Sequence, residues 1–278
     1  MLRIPFYLVS PYRALKKTIY LWKNRKAIKN IQDELSQHLG KKLILTNRNA
    51  KGANAESFLA MSNKVICASL RITNLQKSSS IKTIKPHAIK FRLNGKERIQ
   101  FEHDSYKYLS SYSLSPKPIY LTDKFLACEY INGLKLSLLI KMDPGSAWWI
   151  LEQGLTLVRR MHELGVAHLD LNLGNIICSH CDKKLFVIDF EYLPNPQITT
   201  NTLYLIDYLL FLNDLLRLKR GGKTLLRDIP RLIGNIESKI PIDVRMTELN
   251  LNLNFKNLRK NRSIFNQLQQ VIPSLKSN

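Results

Sequence analysis

Acidic residues are scarce in this chain: 21 Asp and Glu stand against 43 Lys and Arg, a formal net charge of +22 over 278 residues. A field of that sign favours anionic partners such as nucleic acid, anionic lipid or a phosphorylated glycolipid. Cysteine is scarce too. Four cysteines in a chain of this size exclude a disulfide scaffold and point to a reducing compartment. No apolar run is long enough to span a bilayer: Leu203 to Leu218 is interrupted by Asp207 and Asp214 and reads as a core helix. Met1 to Ser10 does not read as a signal peptide, because Arg3 and Pro5 break its short apolar stretch. Glycine is missing between Gly52 and Gly95, and the chain has no internal repeat. What is present is a globular composition, 45% hydrophobic, long enough at 32.2 kDa for two lobes with their own cores.

The charge is concentrated at the start. Residues 1–51 carry 12 Lys and Arg against Asp33 and Glu34 alone. Ser10-Pro11 is a helix start and Gly40 a matching stop. Between them Tyr12, Leu15, Ile19 and Trp22 form one apolar stripe, and Ile28, Ile31, Leu35 and Leu39 a second that is out of phase with the first. A kinked helix or two helices would satisfy that pattern, lying on a small lobe or, for the first stripe, on a membrane surface. Strand-like runs follow at Leu43–Thr46, Phe58–Met61, Val65–Ile72 and His87–Leu93, predicting a small antiparallel sheet. Arg98 to Ser111 reads as a helix with Glu102 in its first turns, and Ser115-Pro116-Lys117-Pro118 ends it. Strand-like Ile119–Thr122 and Phe125–Glu129 lead into Glu129-Tyr130-Ile131-Asn132-Gly133. Beyond Gly133 the period becomes helical, with helices expected at Leu134–Ile140, Ser146–Leu164 and Thr202–Lys219.

The chain is organised around Met161 to Tyr192. In it His168 and Asp170 are followed by Asn175, five residues past Asp170, and by Asp189, nineteen past it. A short loop could hold Asp170 as a base toward a hydroxyl and Asn175 as an amide oxygen toward a metal. A hairpin of Ile176–Cys178 and Leu185–Ile188 would return Asp189 to the same metal. Phosphoryl transfer needs these parts: a positioned nucleophile and divalent ions that neutralise charge between phosphates. Cys178-Ser179-His180-Cys181 is half a zinc pattern at the hairpin's turn, but the remaining Cys67 and Cys128 fall on the small sheet.

This stretch resembles the catalytic core of the protein-kinase-like superfamily, with His168-Leu169-Asp170 in place of HRD, Asn175 as its asparagine, and Asp189-Phe190-Glu191 in place of DFG. The resemblance implies an α+β, two-lobe kinase-like fold: a basic helical extension (1–40), a small antiparallel-sheet N-lobe (41–131) and a helical C-lobe (132–278). It implies ATP and Mg²⁺ as cofactors, Asp170 as catalytic base with His168 supporting it, and Asn175 and Asp189 on the metal. Lys90, in Ala88-Ile89-Lys90, would hold the α- and β-phosphates, with Lys85 and Lys82 as rivals and Glu102 as its ion-pair partner. Backbone groups from Glu129 to Ile131 would hold the adenine. The phosphate-covering loop would be Asn49–Ser57 or Gln76–Ser80, between which the residues do not choose.

Asn172 stands where protein-serine kinases carry lysine, and only 18 residues separate Asp189 from Asp207, little room for a peptide-docking segment. Small-molecule kinases of the superfamily are built this way. Asp170-Leu171-Asn172 and Asn213 to Arg220 are similar to pieces of the lipopolysaccharide core kinases, which phosphorylate Kdo or heptose. The expectation is therefore a kinase acting on a hydroxyl of a membrane glycolipid sugar, cytoplasmic and peripheral on an anionic membrane face. The alternatives are an atypical, RIO-like protein kinase, or a pseudokinase that binds an anionic partner, nucleic acid being the lesser choice.

Overall fold

Apolar residues recur at helical spacing through Arg25–Leu39, and this segment forms α1, with Ile31 and Leu35 buried. The shift of phase between Trp22 and Ile28 falls on a turn at Asn24, the residue before α1. Gly40 ends the helix with φ 61° and bonds its N–H to the Gln37 carbonyl, the conformation for which glycine is suited. The structure, a computed structural model, describes residues 19, 21–47, 56–73, 89–93, 95–217, 221–249 and 255–277. Ser10-Pro11, Tyr12, Leu15, the candidate phosphate loop Gln76–Ser80, residues 49–55 of the other candidate loop, Lys82 and Lys85 lie outside them.

The chain divides into two units, residues 1–78 with 119–129, and 79–118 with 130–278. The first is a five-stranded antiparallel sheet with α1. Its strands are β1 (Ile44–Asn47), β2 (Glu56–Ser62), β3 (Val65–Ile72), β5 (Pro118–Leu121) and β6 (Phe125–Cys128), in the order β1-β2-β3-β6-β5. Asn63 and Lys64 link β2 to β3 with φ of 49° and 65°, the paired left-handed geometry of a tight hairpin turn. Along β3 the two-residue period buries Ala68, Leu70 and Ile72 in a core with Phe58, Ala60, Phe125, Ala127, Ile31 and Leu35. Ser69 and Arg71 fall on the opposite face.

The second unit is mostly helical: α2 (Gly95–Ser110), α3 (Leu136–Met142), α4 (Ala147–Glu163), α5 (Thr200–Leu215), α6 (Ile229–Lys239) and α7 (Arg262–Val271), with shorter turns between. Two small sheets accompany the helices. One is β7 (Gly133–Lys135) with the hairpin β8 (Ile176–Ser179) and β9 (Leu185–Val187), close to the expected hairpin. The other pairs β4 (Lys90–Arg92) with β10 (Tyr192–Pro194). The α+β organisation is thus as expected, a small antiparallel sheet in one unit and a helical second unit. Among the described residues no helix is long and apolar enough to cross a membrane.

One placement differs from expectation. Lys90 does not extend the five-stranded sheet; its strand pairs with β10, and residues 79–118 belong to the second unit. The reason is in the side chains: Arg92 meets Glu191 at 2.8 Å, and Lys90 lies over the Tyr192 ring.

Candidate active site

Asp170 and Asp189 sit on two turns of the second unit. Helix α4 runs out at Glu163, and Gly165, at φ 79°, reverses the chain into the 168–175 loop. Leu169 then adopts φ 63°, a left-handed conformation unfavourable for a branched side chain. Asp207, fully buried in α5, holds it there. One carboxylate oxygen accepts the Leu169 N–H at 2.6 Å; the other accepts the His168 N–H at 2.7 Å and meets His162 Nε2 at 3.2 Å. One α-helical heptad later, Asp214 accepts the Leu173 N–H at 3.1 Å. The two charges that interrupt the apolar run of α5 are therefore the acceptors for the loop's backbone.

His168 is buried with both ring nitrogens engaged. Nδ1 accepts the Asp170 N–H at 3.2 Å and Nε2 donates to the Ile188 carbonyl at 3.0 Å, tying the first turn to the second. This network fixes the tautomer and makes His168 a support for Asp170. Asn175 donates Nδ2 to the Asp170 carbonyl at 3.0 Å, which turns its amide oxygen the other way. The Asn175 carbonyl takes the Ile188 N–H at 2.9 Å, so the loop is stitched to the strand that delivers Asp189. Asn172 is committed locally: Nδ2 donates to the Asp170 carbonyl at 3.0 Å and Oδ1 accepts the Gly174 N–H at 2.8 Å.

The second turn is held from α2. Asp189 has φ 77° and donates its N–H to Tyr106 Oη at 2.9 Å; Tyr106 in turn donates to Glu102 Oε1 at 2.7 Å. Arg98, only 6% exposed, bonds Asp189 Oδ1 at 2.8 Å and also pairs with Glu191. Residues 98, 102 and 106 recur every four positions and so share one face of α2. Phe190 is buried between His168 (centroids 4.6 Å apart) and Tyr106 (5.9 Å).

Lys90 completes the site. Its ammonium donates to the Leu169 carbonyl, lies 3.7 Å from the Tyr192 ring centre and stands 3.9 Å from Asp170 Oδ1. The expected pairing with Glu102 is not found among the described residues; Asp170 is the carboxylate beside Lys90, and the polar face of α2 that carries Glu102 supports the Asp189 turn instead.

Burial pushes the Asp170 carboxyl above the usual range and the neighbouring Asp189 adds to the push, against the opposing pull of Lys90 and His168. Burial pushes Glu191 up as well, again with Asp189, while Arg98 opposes. Burial lowers Lys90, opposed chiefly by Asp170.

Of the residues singled out from sequence, Asp170, His168, Asn175, Asp189 and Lys90 come together in this unit. Glu102 reaches the site through Tyr106. Glu129 and Ile131 lie on the extended connection where the chain passes from the first unit to the second. Arg98 and Tyr106 were missed; the signal was the four-residue spacing of polar side chains through α2. No disulfide joins the four cysteines, and the described residues hold no group of three or more His, Cys, Asp or Glu arranged for a metal.

No protein-family model matches the sequence, and no curated protein does either. Among solved structures the chain is similar to the Rio2 kinase from Chaetomium thermophilum, in an ADP/Mg²⁺-phosphoaspartate complex, at 16% identity over 88% of this chain and 76% of that one, TM-score 0.45. It is also similar to the Mycobacterium tuberculosis PknI kinase domain, at 13% identity over 84% and 88%, TM-score 0.43. These likenesses are distant, and what the site can do is read from its own residues.

Proposed function

We propose that this chain is an ATP-dependent phosphotransferase acting on a hydroxyl. The observation that carries the reading is the meeting of Asp170, Asn175 and Asp189 on two adjoining turns, each bent through a left-handed residue and each held by buried polar groups. Such strain persists where surrounding structure over-determines it, and it clusters at functional sites.

In this reading Asp170 orients the acceptor hydroxyl and takes its proton. His168, with both nitrogens occupied, sets the direction of Asp170. The donor set suits Mg²⁺, a hard cation that takes oxygen ligands: Asn175 presents its amide oxygen because its nitrogen is pinned, and Asp189 brings a carboxylate, one oxygen of which meets Arg98. Bound there, the ion supplies neutralisation of the charge between the phosphates. Glu102 keeps Asp189 in place through Tyr106. The backbone from Glu129 to Ile131 would take the adenine edge.

The acceptor we favour is a sugar hydroxyl on a membrane glycolipid. Its support is α1 and the turn before it, where Ile19 and Trp22 are 44% and 64% exposed beside Lys23, Arg25, Lys26 and Lys29. Basic side chains near an anionic leaflet gain on the order of 1 kcal/mol each. Cosedimentation with vesicles should then require anionic lipid and fade as salt is raised; equal binding to neutral vesicles would refute the electrostatic part of this reading.

A pseudokinase is the second reading. It is favoured by one observation: the Arg98 guanidinium already neutralises the carboxylate that the metal needs. A thermal-shift titration with Mg-ATP separates the two. A ligand held only by the folded state adds roughly 2.7 kcal/mol at a hundredfold excess over its Kd, and a phosphotransferase should show that shift, dependent on Mg²⁺, together with ATP turnover that Asp170→Asn removes. A nucleotide shift without turnover would leave the pseudokinase standing.

A further inference from the structure

The role of Lys90 changes with its position. Lys90 is not on the five-stranded sheet but on a strand that pairs with the one just after Asp189. Its nearest carboxylate is the candidate base itself, at 3.9 Å, too long for a hydrogen bond. The ammonium is aimed: the Leu169 carbonyl takes one proton, the Tyr192 face lies beneath it, and the side chain is 31% exposed. Among the described residues the other cations of the cluster are locked, Arg98 on Asp189 and Glu191, Arg92 on Glu191. Asn172, two residues past Asp170, is folded back on its own loop and offers no charge.

We infer that Lys90 is a catalytic residue that contacts the phosphoryl group in transfer, on the acceptor side of the site, rather than a residue that holds the nucleotide. The inference rests on the phosphotransferase reading and assigns the charge-stabilising group within it. In the step, the acceptor oxygen forms a bond to the γ-phosphorus while the bond from that phosphorus to the β–γ bridging oxygen breaks. The electron pair leaves with ADP, and the hydroxyl proton goes to Asp170 and then to solvent. Negative charge on the equatorial oxygens is what a fixed ammonium beside the base can stabilise, and a group aimed at charge that develops in the transition state acts on kcat rather than on ground-state binding.

The test compares the whole chain with Lys90→Met and Lys90→Arg, using ADP-Mg²⁺, ADP-Mg²⁺ with aluminium fluoride as a mimic of the transferring phosphoryl group, and ATP hydrolysis. Lys90→Met should leave the Kd for ADP-Mg²⁺ within about twofold, weaken the aluminium fluoride complex at least about tenfold, and lower kcat by about a hundredfold or more. Lys90→Arg should recover part of both losses. Equal weakening of ADP and of the aluminium fluoride complex would return Lys90 to the nucleotide phosphates and overturn the inference, as would an unchanged kcat. If the unaltered chain neither binds Mg-ATP nor hydrolyses it, the phosphotransferase reading falls first and takes this inference with it. Wild-type hydrolysis with the wrong Lys90 pattern sinks the inference alone.

Discussion

The turns that carry Asp170 and Asp189 face the same conformational problem and solve it by different physics. At Leu169 the strained backbone is held by one fully buried carboxylate, Asp207, which satisfies two N–H groups and a histidine nitrogen. At Asp189 the backbone is held by a neutral hydroxyl, Tyr106, while the side chain is held by a shared arginine between two carboxylates. The first hold is a set of short hydrogen bonds inside a helix-packed core. The second is an ion cluster nearer water, sensitive to charge and pH. A base needs an unvarying direction, and a metal ligand needs a charge that can be exchanged between cations; each turn has the kind of hold its proposed task asks for.

Breaking the first hold should cost most. Asp207→Ala leaves two backbone N–H groups without their acceptor inside the core, and we expect a loss of roughly 3 to 5 kcal/mol in urea unfolding. A change below about 1 kcal/mol would mean that the loop has another anchor. Arg98→Met attacks the second hold and should cost roughly 2 to 3 kcal/mol, since Asp189 and Glu191 then face each other with only Arg92, on Glu191, to compensate them. Adding Glu191→Gln should return part of that loss; purely additive effects would show that the bridge is not one unit. The pH dependence has a definite sign. Glu191 is pushed above its unfolded value, so its favourable term is complete at pH below the ordinary carboxylate range and disappears as pH rises through the raised value. Arg98→Met should make that fall steeper as pH rises above the ordinary carboxylate range, read as Tm against pH.

Two smaller effects sharpen the contrast. Gly154 lies in α4 beneath Phe211 of α5, where an added Cβ would stand 2.2 Å from the ring. Gly154→Ala should therefore cost about 1 to 3 kcal/mol by displacing the helix that presents Asp207, while the ion cluster at the Asp189 turn keeps its pH dependence. Asp170→Asn should go the other way. The Asp170 carboxyl is pushed up by burial and by Asp189, so its ionised form opposes folding near neutral pH. The variant should melt higher than wild type at about pH 7, the difference closing as pH falls below the carboxylate range, where both are neutral at this position. A lower melting point at neutral pH would show that Lys90 outweighs burial there.

How much of this could be read beforehand depended on whether the signal was local. The strands of the small sheet, the long helix ending at Gly165 and the hairpin that returns Asp189 are written in periods of two and of about four and in glycine and turn residues, all short-range features. So was the spacing of Asp170, Asn175 and Asp189. The strand of Lys90 was expected in the small sheet because Ala88-Ile89-Lys90 resembles a strand motif of that sheet, while its partner strand begins about a hundred residues later at Tyr192. No local pattern encodes which of two sheets a three-residue strand will join. Arg98 was hidden for another reason: a basic residue in a chain of net charge +22 reads as surface, and only the fold reveals the two carboxylates that bury it.

The order of strands in the first unit bears on how the chain is made. Its sheet is β1-β2-β3-β6-β5, so Ile72 of β3 must wait to pair with Phe125 of β6. Phe125 and Ala127 also complete the core around Leu35 and Phe58. As the chain leaves the ribosome, α1 and the first three strands emerge well before the segment that closes their sheet, with α2 synthesised in between. During that interval β3 has an open edge and the small core lacks two of its residues, a state prone to pairing with another nascent chain. Synthesis past residue 129 ends the exposure, at the point where the backbone crosses into the second unit.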